Sequence, residues 1–267
     1  MDSIDDAERV LATTVEAAEE VLGERLVAVF ALGSLAHGGF APLVSDIDVA
    51  LIVRGPDQST GQHIAQINTL VLERSPGELA RRLSLFWTDW DGVRHGPGRH
   101  DRLPAVDRLD LISSGRLLYG EDHRGGATPP EPDALIRDGA EFAAARFDPA
   151  YLAGLRRPAE LVAAGARAAS KAVLFPVRLL YTLHTGQIGL NDAAAGWYAE
   201  HGAHRPLSAE ATRWRADGIT DPEGATTLLR THLAGLYREL FTEYRHALAA
   251  THPALATKLA DAADQLR

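Results

Sequence analysis

Apolar residues recur at helical spacing through the first segment of the chain. Ile4, Ala7, Val10, Leu11, Val15, Ala18 and Leu22 share one face, and Asp5, Asp6 and Glu8 crowd the first turn, where the helix dipole favours anions. The pattern predicts an amphipathic helix over residues 3–22. It then gives way to short, wholly apolar runs. Leu26-Val-Ala-Val-Phe-Ala-Leu32 ends at Gly33, and Ile47-Asp-Val-Ala-Leu-Ile-Val53 ends at Arg54-Gly-Pro; runs of this length bounded by turn residues predict buried strands. The small residues between them predict a loop. A helix over residues 58–74, a third strand over 83–87 and a candidate fourth over 115–119 complete the first half.

Gly125-Gly-Ala-Thr-Pro-Pro-Glu-Pro132 cannot continue a helix or a central strand and predicts a linker. Beyond it strand signals vanish. Ala-, Leu- and Arg-rich stretches predict helices near residues 133–146, 159–185, 191–200, 208–216 and 225–246, the last two parted by Asp217-Gly and Asp221-Pro turns. An α/β first half is therefore followed by an all-α second half, with no internal repeat or low-complexity tract.

Composition narrows the chemistry. The 267 residues are 46% hydrophobic and 24% charged, ordinary for a globular chain of one large or two modest domains. No run of about 18 apolar residues occurs, and the start Met1-Asp-Ser-Ile-Asp-Asp is acidic, so neither a membrane span nor a signal peptide is expected and a cytoplasmic location is. Cysteine is absent, which leaves carboxylate and imidazole as metal ligands and excludes disulfides and thiol catalysis. The formal net charge of −9 argues against broad adhesion to nucleic acid, whose backbone is bound by clustered Lys and Arg. A cationic small molecule suits it better.

The richest segment is Ala31-Leu-Gly-Ser-Leu-Ala-His-Gly-Gly-Phe-Ala-Pro-Leu-Val-Ser-Asp-Ile-Asp-Val-Ala-Leu-Ile-Val53. At Gly33 the missing side chain lets backbone approach a ligand closely, and the Ser34 hydroxyl adds a donor, a pairing suited to phosphate oxygens. About a dozen residues later Asp46 and Asp48 stand two apart at the start of a strand, whose two-residue period sends both carboxylates to one side. Two close like charges repel unless a cation lies between them. Mg²⁺ takes one or two carboxylates together with substrate phosphates, so the pair beside the Gly-Ser turn describes a metal–triphosphate site. A two-metal arrangement with Asp46 and Asp48 as ligands would stabilise both the attacking and the leaving oxygen of an in-line displacement at phosphorus.

Strand, Gly33-Ser34, loop, then Asp46-x-Asp48 on the next strand resembles the nucleotidyltransferase superfamily that includes DNA polymerase beta, and Ser45-Asp-Ile-Asp-Val49 is similar to the form in small bacterial members. In the second half, Arg178-Leu-Leu-Tyr-Thr-Leu-His-Thr-Gly-Gln-Ile188 and Asp192-Ala-Ala-Ala-Gly-Trp197 are similar to the helical domain of the streptomycin and spectinomycin adenylyltransferases. The resemblance spans most of residues 25 to about 215. It implies an α+β chain: a mixed-sheet nucleotidyltransferase domain over residues 1–124, then an α-helical bundle over 133–267, with the acceptor bound between them. It also implies ATP as co-substrate, two Mg²⁺ ions, and AMP joined to a hydroxyl of an aminoglycoside-like antibiotic, an antibiotic-resistance activity. Gly33, Ser34 and Ser45 would position the triphosphate, and Arg205, in His204-Arg-Pro-Leu207, stands where a family arginine touches the nucleotide.

Two positions depart from that family. Its third acidic residue, the base that deprotonates the acceptor hydroxyl, falls early in the third strand, where this chain has Ser84 in Leu83-Ser-Leu-Phe-Trp-Thr-Asp-Trp-Asp91. Serine is no base near neutral pH, so Asp89, Asp91 or some other means of activation must replace it, and Asp89 is the first candidate. Gly196 stands where the family has an acidic residue for the drug's cationic part, which argues against streptomycin as acceptor; Trp197 is retained. His37, beside Gly38-Gly39, reads as loop. Trp87, Trp90, Trp197 and Trp214 read as core or stacking residues, and Lys171 and Arg178, seven apart on one helix face, as phosphate contacts or surface ion pairs. Two rival functions remain open: a nucleotide- or drug-binding module without turnover, and adenylylation of a protein or RNA acceptor.

Overall fold

Ser3 opens the first helix, α1 (Ile4–Leu22), through a capping box in which its hydroxyl accepts from the Asp6 amide while the Asp6 carboxylate accepts from the Ser3 amide. Two orphan donors of the first turn are thereby satisfied. The computed structural model describes residues 3–266, and within it the chain divides between Pro130 and Glu131 into two compact units.

In the first unit β1 (Leu26–Leu32) leads into a five-residue helix, α2 (Gly33–His37), and the chain returns as β2 (Ile47–Val53). Next come α3 (Thr60–Arg74), α4 (Glu78–Arg81), β3 (Leu83–Thr88), α5 (Trp90–His95), α6 (Ala105–Ser114) and β4 (Arg116–Gly120). The sheet order is β3-β2-β1-β4, with β2–β3 parallel and the other two pairings antiparallel. Both faces are covered, which is why β1 and β2 read as continuous apolar runs. Val29, Ala31, Ile47, Val49 and Leu51 face Leu11 and Ile67 of α1 and α3; Phe30, Leu32, Ala50 and Ile52 face Val93, Leu103 and Leu111 of α5, α6 and the segment between them.

Residues 121–131 carry neither helix nor strand, yet their first part is fastened to this unit. Arg108, 4% exposed, donates to the carbonyls of Val93, Arg94 and Thr128 at 2.7–2.8 Å, and Arg124 lies 4.8 Å over the Phe30 ring. The Gly-Thr-Pro run therefore leaves the first unit only after Thr128.

The second unit is helical: α7 (Pro132–Arg146), α8 (Pro149–Leu155), α9 (Pro158–Ala163), α10 (Ala166–Thr185), α11 (Asn191–His201), α12 (Arg205–Asp217), α13 (Pro222–Leu248) and α14 (Pro253–Asp264). Its core runs along α13, where Leu229, Leu233, Leu236, Tyr237, Leu240, Phe241, Tyr244 and Leu248 are buried. The tyrosines tie neighbours to it without leaving a buried hydroxyl unmatched: Tyr237 donates to the Ala172 carbonyl at 2.9 Å and Tyr244 to that of Leu179 at 3.1 Å. The helix predicted over 159–185 is broken at Ala164-Gly165, where Gly165 takes φ +95°; glycine adopts that conformation without the steric cost other residues carry. No described helix is long and apolar enough to cross a membrane.

Candidate active site

The site is built where β1 stops. Gly33 has φ +60°, and a Cβ placed on it would lie 2.8 Å from Asp48 Oδ2. No side chain fits there, so glycine serves both the backbone conformation and the close approach of the carboxylate. Asp48 is brought to this spot by register: it pairs with Leu32 on β1 and Ser84 on β3. Its neighbours along the strand, Ile47 and Val49, point into the layer of α1 and α3, so Asp48 belongs to the opposite face. Asp46 lies one residue ahead of β2 and is partly buried.

A second carboxylate reaches the same turn from 77 residues away in sequence. Asp110 of α6, 8% exposed, accepts the Gly33 amide through Oδ2 at 2.6 Å. Nothing in the sequence reading pointed to it. The Gly33 amide, expected to face phosphate, is thus directed at Asp110, and Gly33 contributes space rather than a donor. Ser34 follows as the second residue of α2 and is partly buried. Ser45 is buried, and its Oγ accepts from the Ala41 amide at 3.0 Å, closing the loop that delivers Asp46 and Asp48.

Asp89 stands at the far end of β3, as the sequence predicts, and caps the next helix. Ser84 lies beside Asp48, and Asp89 is five residues further on, just past the end of β3, about 16 Å at strand rise. There its carboxylate caps α5, accepting the Gly92 amide at 2.8 Å. Asp91 is exposed and pairs with His95 at 2.9 Å. Ser84 is the β3 residue that pairs with Asp48.

No family model matches the chain, and no curated protein does. Among solved structures, the spectinomycin adenyltransferase AAD(9) from Enterococcus faecialis, solved with ATP and spectinomycin, aligns over 86% of this chain and 98% of its own at TM-score 0.61 and 14% identity. This chain shares the fold of that protein.

In the second unit, Arg205 is exposed in the first turn of α12, and its Nε donates to the Gly202 carbonyl at 3.0 Å. Arg178 is turned onto the Gly189 carbonyl at 2.5 Å and Lys171 lies 5.4 Å over the Phe175 ring, so both contribute to the helical unit itself. Trp197 is partly buried and stacks on His201, with centroids 5.0 Å apart and planes at 17°. Trp214 is core, Trp87 donates to the His100 carbonyl at 2.8 Å, and Trp90 meets Phe30 edge-on at 6.1 Å. Next to Arg205, His204 and His232 approach Nδ1 to Nδ1 at 3.2 Å; burial first, then the charges of His232 and Arg238, lower the His204 pKa against the pull of Glu239. Among the described residues no three His, Asp or Glu side chains gather into a metal cluster.

Proposed function

We propose that the chain is a metal-dependent nucleotidyltransferase that moves AMP from ATP to a hydroxyl of a small, cationic, antibiotic-like acceptor. The observation that carries this reading is the Asp48 carboxylate lodged against the side-chain-free Gly33 turn, with Asp46 two residues earlier and Ser34 next in the chain. A fold alone does not imply an activity; this juxtaposition is what adds chemistry to it.

Two carboxylates are what Mg²⁺ accepts when triphosphate oxygens complete its coordination, and the oxygen donors of Asp48, lodged against the Gly33 turn, and of Asp46 two residues earlier fit such an ion. Asp46 and Asp48 would hold the metal, which when bound supplies charge neutralisation to the attacking and leaving oxygens. Ser34 contributes a hydroxyl donor toward the phosphates. Ser45, through its bond to Ala41, keeps the carboxylate-bearing loop in place. In the transfer, the acceptor oxygen bonds to the α-phosphorus, the bond to the bridging oxygen breaks, and pyrophosphate leaves. The acceptor proton passes to a base other than Ser84. Arg205 is assigned to the nucleotide by the resemblance, and the co-crystallised ligand of the similar structure, together with Gly196 in place of an acidic residue, favours spectinomycin over streptomycin as the first acceptor to try.

Incubation with ATP, Mg²⁺ and spectinomycin, with an aminoglycoside panel beside it, tests the reading through pyrophosphate release. Release is expected, and Asp46→Asn should lower it about a hundredfold or more; release that survives the substitution would sink the proposal. A second reading, binding without turnover, is favoured by Ser84 standing beside Asp48. Magnesium-dependent ATP binding with no adenylylated product from the antibiotics, or from protein and RNA in a lysate, would select it.

A further inference from the structure

We infer that Asp110 is a positioning residue that holds the Gly33–Ser34 turn in the form required to receive a magnesium-bound nucleotide. The inference rests on the nucleotidyltransferase reading and adds to it a side chain that neither the Gly-Ser nor the Asp-x-Asp pattern contains.

The turn needs an outside support. Leu32, the residue preceding α2, has no polar side chain and makes no capping bond, so the first amide of the turn must find its acceptor elsewhere. Asp110 supplies it at 2.6 Å. A short bond from a backbone amide to a side-chain oxygen held on a helix fixes direction as well as distance. The support is itself rigid. Leu111, next to Asp110, is buried against Phe30 and Leu32, and Arg108, two residues before Asp110 on α6, is bonded to three backbone carbonyls. Because Gly33 lies against Asp48 Oδ2, displacing the turn would change the room left for the Asp48 carboxylate and move the Ser34 hydroxyl with it.

Asp110 does not take the place of the absent base. Its Oδ2 is engaged by Gly33 and the residue is 8% exposed, whereas a general base must come within hydrogen-bond reach of the acceptor hydroxyl. It acts through the turn.

The experiment measures two quantities on the full chain: hydrogen exchange of the Gly33 amide by NMR, and the Kd for magnesium α,β-methylene-ATP by calorimetry. Asp110→Leu keeps the branched shape and removes the acceptor; Asp110→Asn keeps an acceptor oxygen. The Leu variant should speed Gly33 exchange and raise Kd, each about tenfold or more, while the Asn variant stays within about threefold on both. A folded Leu variant with unchanged exchange and unchanged Kd overturns the inference. Should the Leu variant fail to fold, the Asn variant decides alone, since a loss of binding beyond about tenfold with the acceptor oxygen retained contradicts the assignment. If the wild-type chain protects its Gly33 amide, loses that protection in Asp110→Leu and binds no analogue, the turn-holding role stands and the nucleotidyltransferase reading falls.

Discussion

At the scale of single residues the account turns on Gly33. Its φ of +60° and the 2.8 Å gap between its would-be Cβ and Asp48 Oδ2 leave alanine two objections, one from the backbone and one from the carboxylate. The carboxylate is the softer of the two, so Gly33→Ala should fold and push Asp48 aside. Misplacement of a reacting group by about 1 Å lowers rates about a hundredfold, and pyrophosphate release by Gly33→Ala should fall by that order. Release at the wild-type rate would mean that the close approach has no functional weight. The glycine was legible in the sequence because it closes an apolar run just before Ser34. Asp110 was not, since a carboxylate that acts from 77 residues away leaves no local pattern.

Elements were readable where burial follows a period. β1 and β2 were placed to the residue because every position but one in each is buried, giving the unbroken apolar runs of a sheet covered on both faces. Helix α6 was missed for the opposite reason: its buried face includes Arg108 and Asp110, so a hydropathy pattern reads as interrupted where the structure is continuous. The five-residue α2 was read as loop because its small residues carry no period. α8 and α14, seven and twelve residues long, also escaped, and the break at Gly165 was hidden by helix-forming alanines on both sides. The register of β3 places Ser84 beside Asp48, and Asp89, just past the strand, caps α5. Asp89→Ala should therefore cost about 1 kcal/mol of stability, as loss of a helix cap does, and leave kcat within about threefold. Loss of kcat by several orders of magnitude at normal stability would restore Asp89 as the base.

At the scale of the molecule, pH acts on the helical unit through a histidine pair. His204 in the helical unit has its pKa lowered from 6.5, chiefly by burial, and the 3.2 Å Nδ1 contact with His232 requires one of the two ring nitrogens to be unprotonated. The folded state therefore binds fewer protons here than the unfolded chain. Stability from this site is complete above about pH 6.5 and declines as pH falls below that value toward the lower folded pKa. Thermal unfolding scans at pH 7.5 and 5.5 should show a lower midpoint at the acid value, and His204→Gln should reduce the difference. An equal difference in the variant would remove His204 from the explanation. The overall charge of −9 makes the same molecule hospitable to cations, in keeping with both a divalent metal and a cationic acceptor.

The proposed function depends on Asp46 and Asp48 sharing a cation with a triphosphate at the Gly33 turn. Electron paramagnetic resonance of Mn²⁺ titrated into the chain, with and without α,β-methylene-ATP, addresses that most directly. The account predicts about two bound Mn²⁺ per chain when the analogue is present, with binding lost in Asp48→Asn. Manganese that stays free in the presence of the analogue, or that binds equally well to Asp48→Asn, would contradict it.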